Sequence, residues 1–361
     1  MPSDRSDAFA PGRVNLIGEH TDYNLGLALP FAIAEGVTVR ARAHGDVDSG
    51  AGAAARIEAF ACDLGERDEF ALADPPAAEG WRAFVRGTVA ELGRAGFPLV
   101  PASLQIRADV PAGAGLSSSA ALEVALCLAL LELSSQAPRG AVLESCDRTE
   151  LARLCARVES DWVRAHTGLL DQLASLYGAP DTALCIDFRS LAIEPVPLQL
   201  DGWTLVVLDS GERHKHAASG YNERRAECAR ACQLLGVSSL RELDADPLTL
   251  LPDPLGRRAS HVFGENLRVR EAEAALRDGD LPAIGELLSA SHRSLRDRYE
   301  VSTPAVEEAV QRLLDAGAAG ARLIGGGFGG SVLGLFSPGA RAAAGAREVR
   351  PGPGAHLLDA R

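Results

Sequence analysis

The chain has 361 residues, of which 47% are hydrophobic and 24% are charged, and its formal net charge is −13. This length is sufficient for two domains with separate cores, while no apolar run approaches the roughly 20 residues that a membrane span requires. The acidic balance disfavours nucleic acid as the main partner, because a phosphate backbone requires a basic face. The polar start of the chain is unlike a signal peptide, so we expect a soluble cytoplasmic protein, with a monomer as the working expectation.

Strand and helix patterns alternate irregularly along the first half of the chain. Strand-like alternation of apolar and polar residues covers 37–43 and 103–110. Helical periodicity covers 119 to about 133 and roughly 148–165, and the segment 181–200 has an extended pattern. These segments predict a sheet with helices packed against it.

The second half of the chain begins with an apolar strand pattern at 203–209. Amphipathic helical patterns and one further strand pattern follow near 219–235, 259–276, 280–297, 303–316 and 331–336. Mixed elements without regular βαβ alternation predict an α+β protein. We expect one domain over residues 1–198, a second over residues 199–361, and the active site between them.

The most informative segment lies near the N-terminus, where a short apolar run ends at Gly18. Six consecutive side chains that form hydrogen bonds come next: Glu19, His20, Thr21, Asp22, Tyr23 and Asn24. A buried core has no use for this density, since each unpaired polar group costs about 1–3 kcal/mol. A polyhydroxylated sugar can pair with all of them. Local composition alone leaves a polar turn between two strands as the alternative.

A second segment joins the strand at 103–110 to the long helix and reads Pro-Ala-Gly-Ala-Gly-Leu-Ser-Ser-Ser-Ala-Ala over residues 111–121. Its glycines allow the backbone to approach an anion closely, and its serines open a helix whose first N–H groups are unpaired. It is not a Walker loop, because no Lys-Ser/Thr pair follows the glycines. The alternative is a glycine turn with a serine N-cap, although three consecutive serines exceed what capping requires.

The polar segment resembles the sugar signature of the galactokinases, a branch of the GHMP small-molecule kinases. The glycine–serine segment resembles the ATP loop of the same family, and the two stand in the family's usual order and separation. The resemblance implies a two-domain GHMP-kinase-like fold that uses ATP and Mg²⁺ to phosphorylate the anomeric hydroxyl of galactose. It assigns ATP binding to Gly113, Gly115, Leu116, Ser117, Ser118 and Ser119.

Three further charged residues have counterparts in the family. The resemblance implies that Asp171 lies nearest the attacking sugar hydroxyl as the base, and that Ser119 and Glu159 hold Mg²⁺. A weak base suffices in a loose phosphoryl-transfer transition state if a cation supports it, and the permanently charged Arg13 fits that role. The sugar contacts that the resemblance implies are Glu19, His20, Asp22, Gly168, Asp171 and Tyr221.

Each of these residues has a plainer interpretation when it is considered alone. Asp171 would equally cap the helix that follows it, Glu159 would be a carboxylate on a helix surface, and Arg13 would form a surface salt bridge. The segment 325–331 resembles the family's third motif, which closes over the phosphate loop. Most glycine-rich runs of this kind are simple turns.

The sequence departs from the family pattern at Leu25, Arg164, His166–Thr167 and Ala305–Val306. The first departures lie near the sugar segment, so the kinase class is better specified than the sugar. One alternative is a related sugar-1-kinase acting on N-acetylgalactosamine or L-arabinose. Others are a non-catalytic galactokinase-like sugar sensor, or another GHMP branch such as a mevalonate or homoserine kinase.

Overall fold

The computed structural model describes residues 4–44, 55–110, 115–135, 140–141, 146–165, 168–213 and 217–359. Three sheets hold the described strands: β1 (Arg5–Asn15), β2 (Leu27–Ala28), β3 (Pro30–Ala43), β4 (Arg56–Ala61), β5 (Glu66–Ala71), β6 (Ala102–Ala108), β7 (Thr182–Asp187), β8 (Ala192–Pro197), β9 (Thr204–Arg213), β10 (Gly320–Leu323), β11 (Gly329–Phe336), β12 (Arg347–Val349) and β13 (His356–Leu357). The described helices are α1 (Trp81–Arg94), α2 (Ser118–Ser134), α3 (Arg148–Arg157), α4 (Leu170–Tyr177), α5 (Ala217–Leu235), α6 (Leu255–Asp278), α7 (Leu281–Ser294) and α8 (Pro304–Asp315). This mixture agrees with the predicted α+β class.

The largest sheet has the strand order β13-β1-β3-β6-β4-β5, and its centre is covered by α2. β1 runs antiparallel to β3, with Arg5 opposite Arg42 and Val14 opposite Phe31. Helix α2 is apolar on every side and buried from Ala120 to Leu131, as expected of an internal helix. Helix α2 follows β6 in the chain and packs against β1 and β3. Its N-terminus lies beside the end of β1.

The second sheet has the order β10-β11-β9-β12, and α7 and α8 pack against it. A third sheet, β2-β7-β8, lies between the two halves of the chain. One core cluster contains Leu16 and Phe31 from the N-terminal half together with Val269 and Leu333 from the C-terminal half. β13 also returns to pair with β1, so the two halves share both a core and a sheet.

The predicted helices at 148–165 and 280–297 are each interrupted near their end. The first continues from α3 as a π-helical turn at Val158–Val163, and the second continues from α7 as a π-helical turn at Leu295–Tyr299. Sequence periodicity did not indicate the hairpin β4–β5 or helix α1. Among the described residues, no helix has the length and apolar character to span a membrane.

Candidate active site

Five segments converge on one cavity of about 290 Å³. They are the end of β1, the polar turn that follows it, the start of α4, the start of α5 and the glycine-rich link between β10 and β11. The predicted sugar-binding and catalytic residues all line it: Arg13, Glu19, His20, Asp22, Gly168, Asp171 and Tyr221. The cavity therefore brings together residues that are up to 314 positions apart in the chain, from Arg13 to Gly327.

The Asp171 carboxylate is held from two sides. Nε of Arg13 donates a hydrogen bond to Oδ1 at 2.7 Å, and the Ser117 hydroxyl donates to Oδ2. Arg13 also donates to the carbonyl of Gly115 at 2.7 Å, and only 8% of its side chain is exposed. The N-cap residue of α4 is Leu169, so the Asp171 side chain does not cap the helix.

The described part of the glycine–serine segment, residues 115–121, lies directly against β1. The backbone N–H of Arg13 donates to the carbonyl of Leu116 at 3.1 Å, and a Cβ on Gly12 would lie 2.5 Å from that oxygen. Ser117 has the left-handed conformation, with φ of 57°, and its side chain does not cap α2. The positive end of the α2 dipole is therefore left for an anion. Gly113 lies outside the described residues.

Ser119 and Glu159 meet at the start of α2. The Ser119 hydroxyl donates to Oε1 of Glu159 at 3.1 Å, and Glu159 is buried with 4% of its surface exposed. The π-helical turn at Val158–Val163 carries Glu159 into this position. Glu159 is thus not the solvent-exposed helix carboxylate of the simpler interpretation.

The segment 325–331 lies beside the glycine–serine segment, since a Cβ on Gly325 would be 4.0 Å from the Gly115 carbonyl oxygen.

Asp22 and Gly168 are in direct contact at one wall of the cavity. A Cβ at position 168 would overlap the Asp22 carboxylate, so a larger residue there would require Asp22 to move. Burial, together with the nearby carboxylates of Asp171 and Glu19, raises the pKa of Asp22 to about 6. The Asp22 carboxyl therefore holds its proton more tightly than an ordinary aspartate does.

Glu19 connects the polar turn to the C-terminal half. Its Oε1 accepts a hydrogen bond from the backbone N–H of Gly325 at 2.8 Å and forms an ion pair with Nη2 of Arg322 at 3.1 Å. Burial raises the pKa of Glu19, and the positive charges of Arg322 and Arg13 oppose that rise. The carboxylate therefore both lines the cavity and ties the turn to the glycine-rich segment.

Three polar residues from the C-terminal half hold the polar turn and its flanking strands in place. The sequence patterns assigned no function to any of them. Glu265 accepts from the N–H of Gly18 at 3.1 Å, and Oδ1 of Asn266 accepts from the N–H of Leu27 at 2.8 Å. Nη1 of Arg322 donates to the Leu16 carbonyl at 2.8 Å. These three residues stand inside stretches whose pattern is otherwise that of buried helix or strand, and a buried polar residue is the feature that indicates such a role.

Two of the departures from the family pattern have different surroundings. Leu25 is 40% exposed, has a left-handed φ of 54°, and does not line the cavity. Arg164 lines a neighbouring cavity of about 680 Å³. His166 and Thr167 lie outside the described residues.

Comparison with known proteins places these features in a family. Three family models match the chain, namely the galactokinase galactose-binding signature over residues 4–43, the GHMP kinases N terminal domain over 83–179 and the GHMP kinases C terminal model over 272–353. The galactokinase of Mycobacterium bovis is 44% identical over 90% of this chain and 87% of its own length. That of Thermotoga neapolitana is 37% identical over 92% and 89%.

Solved structures agree with the sequence comparison. The structure of Lactococcus lactis galactokinase complexed with galactose matches with a TM-score of 0.85 and 30% identity, covering 99% of this chain and 96% of that one. Methanococcus jannaschii mevalonate kinase shares the fold, with a TM-score of 0.67 and 17% identity over 96% and 98% of the two chains. The predicted α+β, GHMP-kinase-like fold is confirmed, and the chain belongs to the galactokinase family of the GHMP kinases.

Proposed function

We propose that this chain transfers the γ-phosphoryl group of ATP to the anomeric hydroxyl of galactose, giving galactose 1-phosphate and ADP. The observation that carries the proposal is the Asp171 carboxylate, held by Arg13 and Ser117 where the sugar-type cavity meets the phosphate loop. The galactokinase relatives, and the galactose in the Lactococcus lactis structure, support this choice of substrate.

In this mechanism Asp171 accepts the proton of the anomeric hydroxyl. The sugar oxygen forms a bond to the γ-phosphorus, and the bond from that phosphorus to the β–γ bridging oxygen breaks, so that ADP leaves. Deprotonation can come late in a loose transition state, which allows a carboxylate to serve as the base. Arg13 stabilises the negative charge that develops on the sugar oxygen, while the α2 N-terminus receives the phosphates.

Mg²⁺ fits the pair formed by Ser119 and Glu159. A hydroxyl and a carboxylate oxygen lie 3.1 Å apart at the helix N-terminus, and Mg²⁺ is commonly bound by one or two such protein oxygens together with substrate phosphates. When bound there, the ion would neutralise phosphate charge during transfer. We propose these two residues as the magnesium ligands.

The cavity of about 680 Å³ is our proposed site for the nucleoside part of ATP. Its walls include Glu79, Trp162 and Arg164, and the last two lie on or next to the π-helical turn that carries Glu159. The nucleobase of ATP and the proposed magnesium ligand Glu159 would thus both be held by one short segment. An aromatic ring and an arginine are suitable partners for a planar base.

We also propose that the enzyme works in the cytoplasm as a monomer, with a sugar and ATP as its partners. The acidic chain favours small-molecule partners over nucleic acid, and ATP is available in that compartment. Sedimentation velocity on the purified chain tests the monomer directly.

The decisive experiment is ADP release measured across a panel of acceptors. We expect kcat/KM for galactose to exceed that for glucose by at least about 10³-fold, because a site built to pair with one hydroxyl leaves its own groups unpaired with the epimer. N-acetylgalactosamine, L-arabinose and mevalonate complete the panel. Comparable values for glucose and galactose would contradict the proposal, and a preference for N-acetylgalactosamine or L-arabinose would reassign the sugar while keeping the kinase mechanism.

A further inference from the structure

The cavity of about 290 Å³ is called the sugar cavity below. Four side chains form a continuous hydrogen-bonded chain that begins at its wall, and we call this chain the tyrosine relay. Nδ1 of His20 lies 2.8 Å from Oη of Tyr23, which lies 2.8 Å from Oη of Tyr299. Oη of Tyr299 lies 3.1 Å from Sγ of Cys228. Tyr299 and Cys228 are buried, and Tyr23 is partly buried. The relay therefore connects the sugar cavity to the core of the C-terminal half.

The direction of the protons in the relay follows from the chemistry of its ends. Each phenol has one proton, so the arrangements in which both phenol protons are used within the relay point either all toward His20 or all toward Cys228. In the first arrangement a phenol donates to an imidazole nitrogen and the thiol donates to a phenol. In the second, a phenol must donate to the thiol sulfur, which is a weak acceptor. The first arrangement is favoured because it pairs the better donor with the better acceptor.

The protonation of His20 is also determined by its surroundings. Burial, with a smaller effect from the nearby His261, lowers the pKa of His20 to about 3, so the ring is neutral and has a single N–H. Since Nδ1 accepts from Tyr23, the proton resides on Nε2. Nε2 is buried and forms no direct hydrogen bond among the described residues, although the backbone of Gly326 faces the ring and favours a proton on it. The His20 ring lines the sugar cavity.

We propose that Tyr23 and Tyr299 are positioning residues that hold His20 in its Nε2–H tautomer, so that His20 donates a hydrogen bond to an oxygen of the sugar. This inference rests on the proposed function. The neighbouring Glu19 and Asp22 present carboxylate oxygens, which accept. A sugar hydroxyl that donates to one of these carboxylates still has lone pairs that can accept from His20. The relay therefore makes His20 a hydrogen-bond donor beside two carboxylates that accept.

The tautomer is measured directly by nitrogen NMR on sugar-free protein labelled with ¹⁵N-histidine. The His20 signals are assigned as those lost in His20→Gln. We expect Nδ1 in the unprotonated range and the proton on Nε2 in the wild type, and a shift toward a mixture of tautomers in Tyr23→Phe. Tyr299→Phe should shift the mixture in the same direction but less, because Tyr23 keeps its own proton to donate.

Galactose binding gives the functional measurement. Tyr23→Phe should raise the Kd and KM for galactose by about 5- to 20-fold, as expected for one buried hydrogen bond, with kcat changed by less than about threefold. Tyr177→Phe is the matched control, because it removes a hydroxyl that bonds Thr149 away from the cavity. The Tyr23→Phe/Tyr299→Phe double variant should lose less than the sum of the single losses, since the two hydroxyls act in series.

Modified sugars identify the direction of the hydrogen bond. We test galactoses in which each hydroxyl in turn is replaced by hydrogen or by fluorine, which accepts weakly and does not donate. If His20 donates, the fluoro sugar binds more tightly than the deoxy sugar at one position, and Tyr23→Phe removes that difference.

Three results would overturn the inference: an Nδ1–H tautomer in the wild type, an unchanged tautomer in Tyr23→Phe, or equal binding of the fluoro and deoxy sugars at every position. Failure of the proposed function is distinguishable, because wild-type protein would then not bind galactose although the NMR experiment still reports the tautomer.

Discussion

At the scale of single residues, the clearest question is whether Asp171 acts as a base. Asp171→Asn keeps the size of the side chain and removes its charge. We expect kcat to fall by at least about 10²-fold, because a positioned general base contributes 10²–10⁴-fold. Arg13→Ala should cause a similar loss, and the double variant should be much less than additive, since the two side chains are hydrogen-bonded at 2.7 Å.

The readouts for Asp171 are steady-state kinetics and galactose calorimetry. Asp181→Asn, a change at an exposed aspartate outside the sugar cavity, is the control and should leave kcat unchanged. Near-normal turnover in folded Asp171→Asn would show that the carboxylate does not assist proton removal.

The raised pKa of Asp22 makes the stability of the folded protein depend on pH. Because that pKa is raised from 3.8 to about 6, the folded protein binds this proton more tightly than the unfolded chain does. Asp22 therefore lowers stability as pH rises from about 4 to about 6, and the cost remains above that range. We expect Asp22→Asn to have a higher Tm than wild type at about pH 8, with the difference shrinking toward about pH 4. The same substitution should weaken galactose binding.

Calorimetric unfolding across this pH range tests the idea, with the exposed Asp278→Asn as the matched control. A difference in Tm between Asp22→Asn and wild type that did not vary with pH would mean that Asp22 is ionised at no cost in the folded protein.

At the scale of elements, local periodicity predicted most helices and several strands because their apolar faces repeat clearly. The helix at 119–133 and the strand at 103–110 correspond to α2 and β6 within two residues at each end. Helix α1 was missed, and its Gly87 shows why: a Cβ there would lie 2.7 Å from the Trp162 ring, so this position is small because of tertiary packing. Such a requirement is not visible in a local pattern.

Sequence analysis did not predict either π-helical turn, and each carries a residue to which we propose a role in this site. Val158–Val163 brings Glu159 to Ser119, and Leu295–Tyr299 brings Tyr299 to Tyr23. A π-turn uses i→i+5 hydrogen bonds and takes up an extra residue, which changes the direction of the side chains around it. The residue types of the site were therefore predictable from motifs, whereas the orientation of these two side chains was not.

At the scale of the whole molecule, the polar turn is built from one half of the chain and supported by the other. Arg322 on β10 is fully buried and bonds the Leu16 carbonyl at 2.8 Å and the Glu19 carboxylate at 3.1 Å. His261 on α6 has Nε2 placed 3.2 Å from the Glu19 carbonyl oxygen. These contacts have large sequence separation, which explains why motifs near the N-terminus did not indicate them.

Arg322→Met tests this dependence of one half on the other. Removing one partner of a buried ion pair costs about 3–5 kcal/mol, because the remaining charge is left uncompensated. We therefore expect a large loss of unfolding free energy and of galactose binding, measured by denaturant titration and calorimetry. Arg350→Met, at a position where 74% of the side chain is exposed, is the control and should change stability by less than about 0.5 kcal/mol.

A second substitution, at Glu19, distinguishes the ion pair of Arg322 from its packing and from its bond to the Leu16 carbonyl. Glu19→Gln removes the buried negative charge, so Arg322→Met/Glu19→Gln should be more stable than Arg322→Met alone. Galactose turnover should not recover in the double variant, because the cavity then lacks the Glu19 carboxylate. If the double variant were the less stable of the two, the role of Arg322 would be to fill space and to bond the Leu16 carbonyl, and the ion pair with Glu19 would contribute little to joining the two halves.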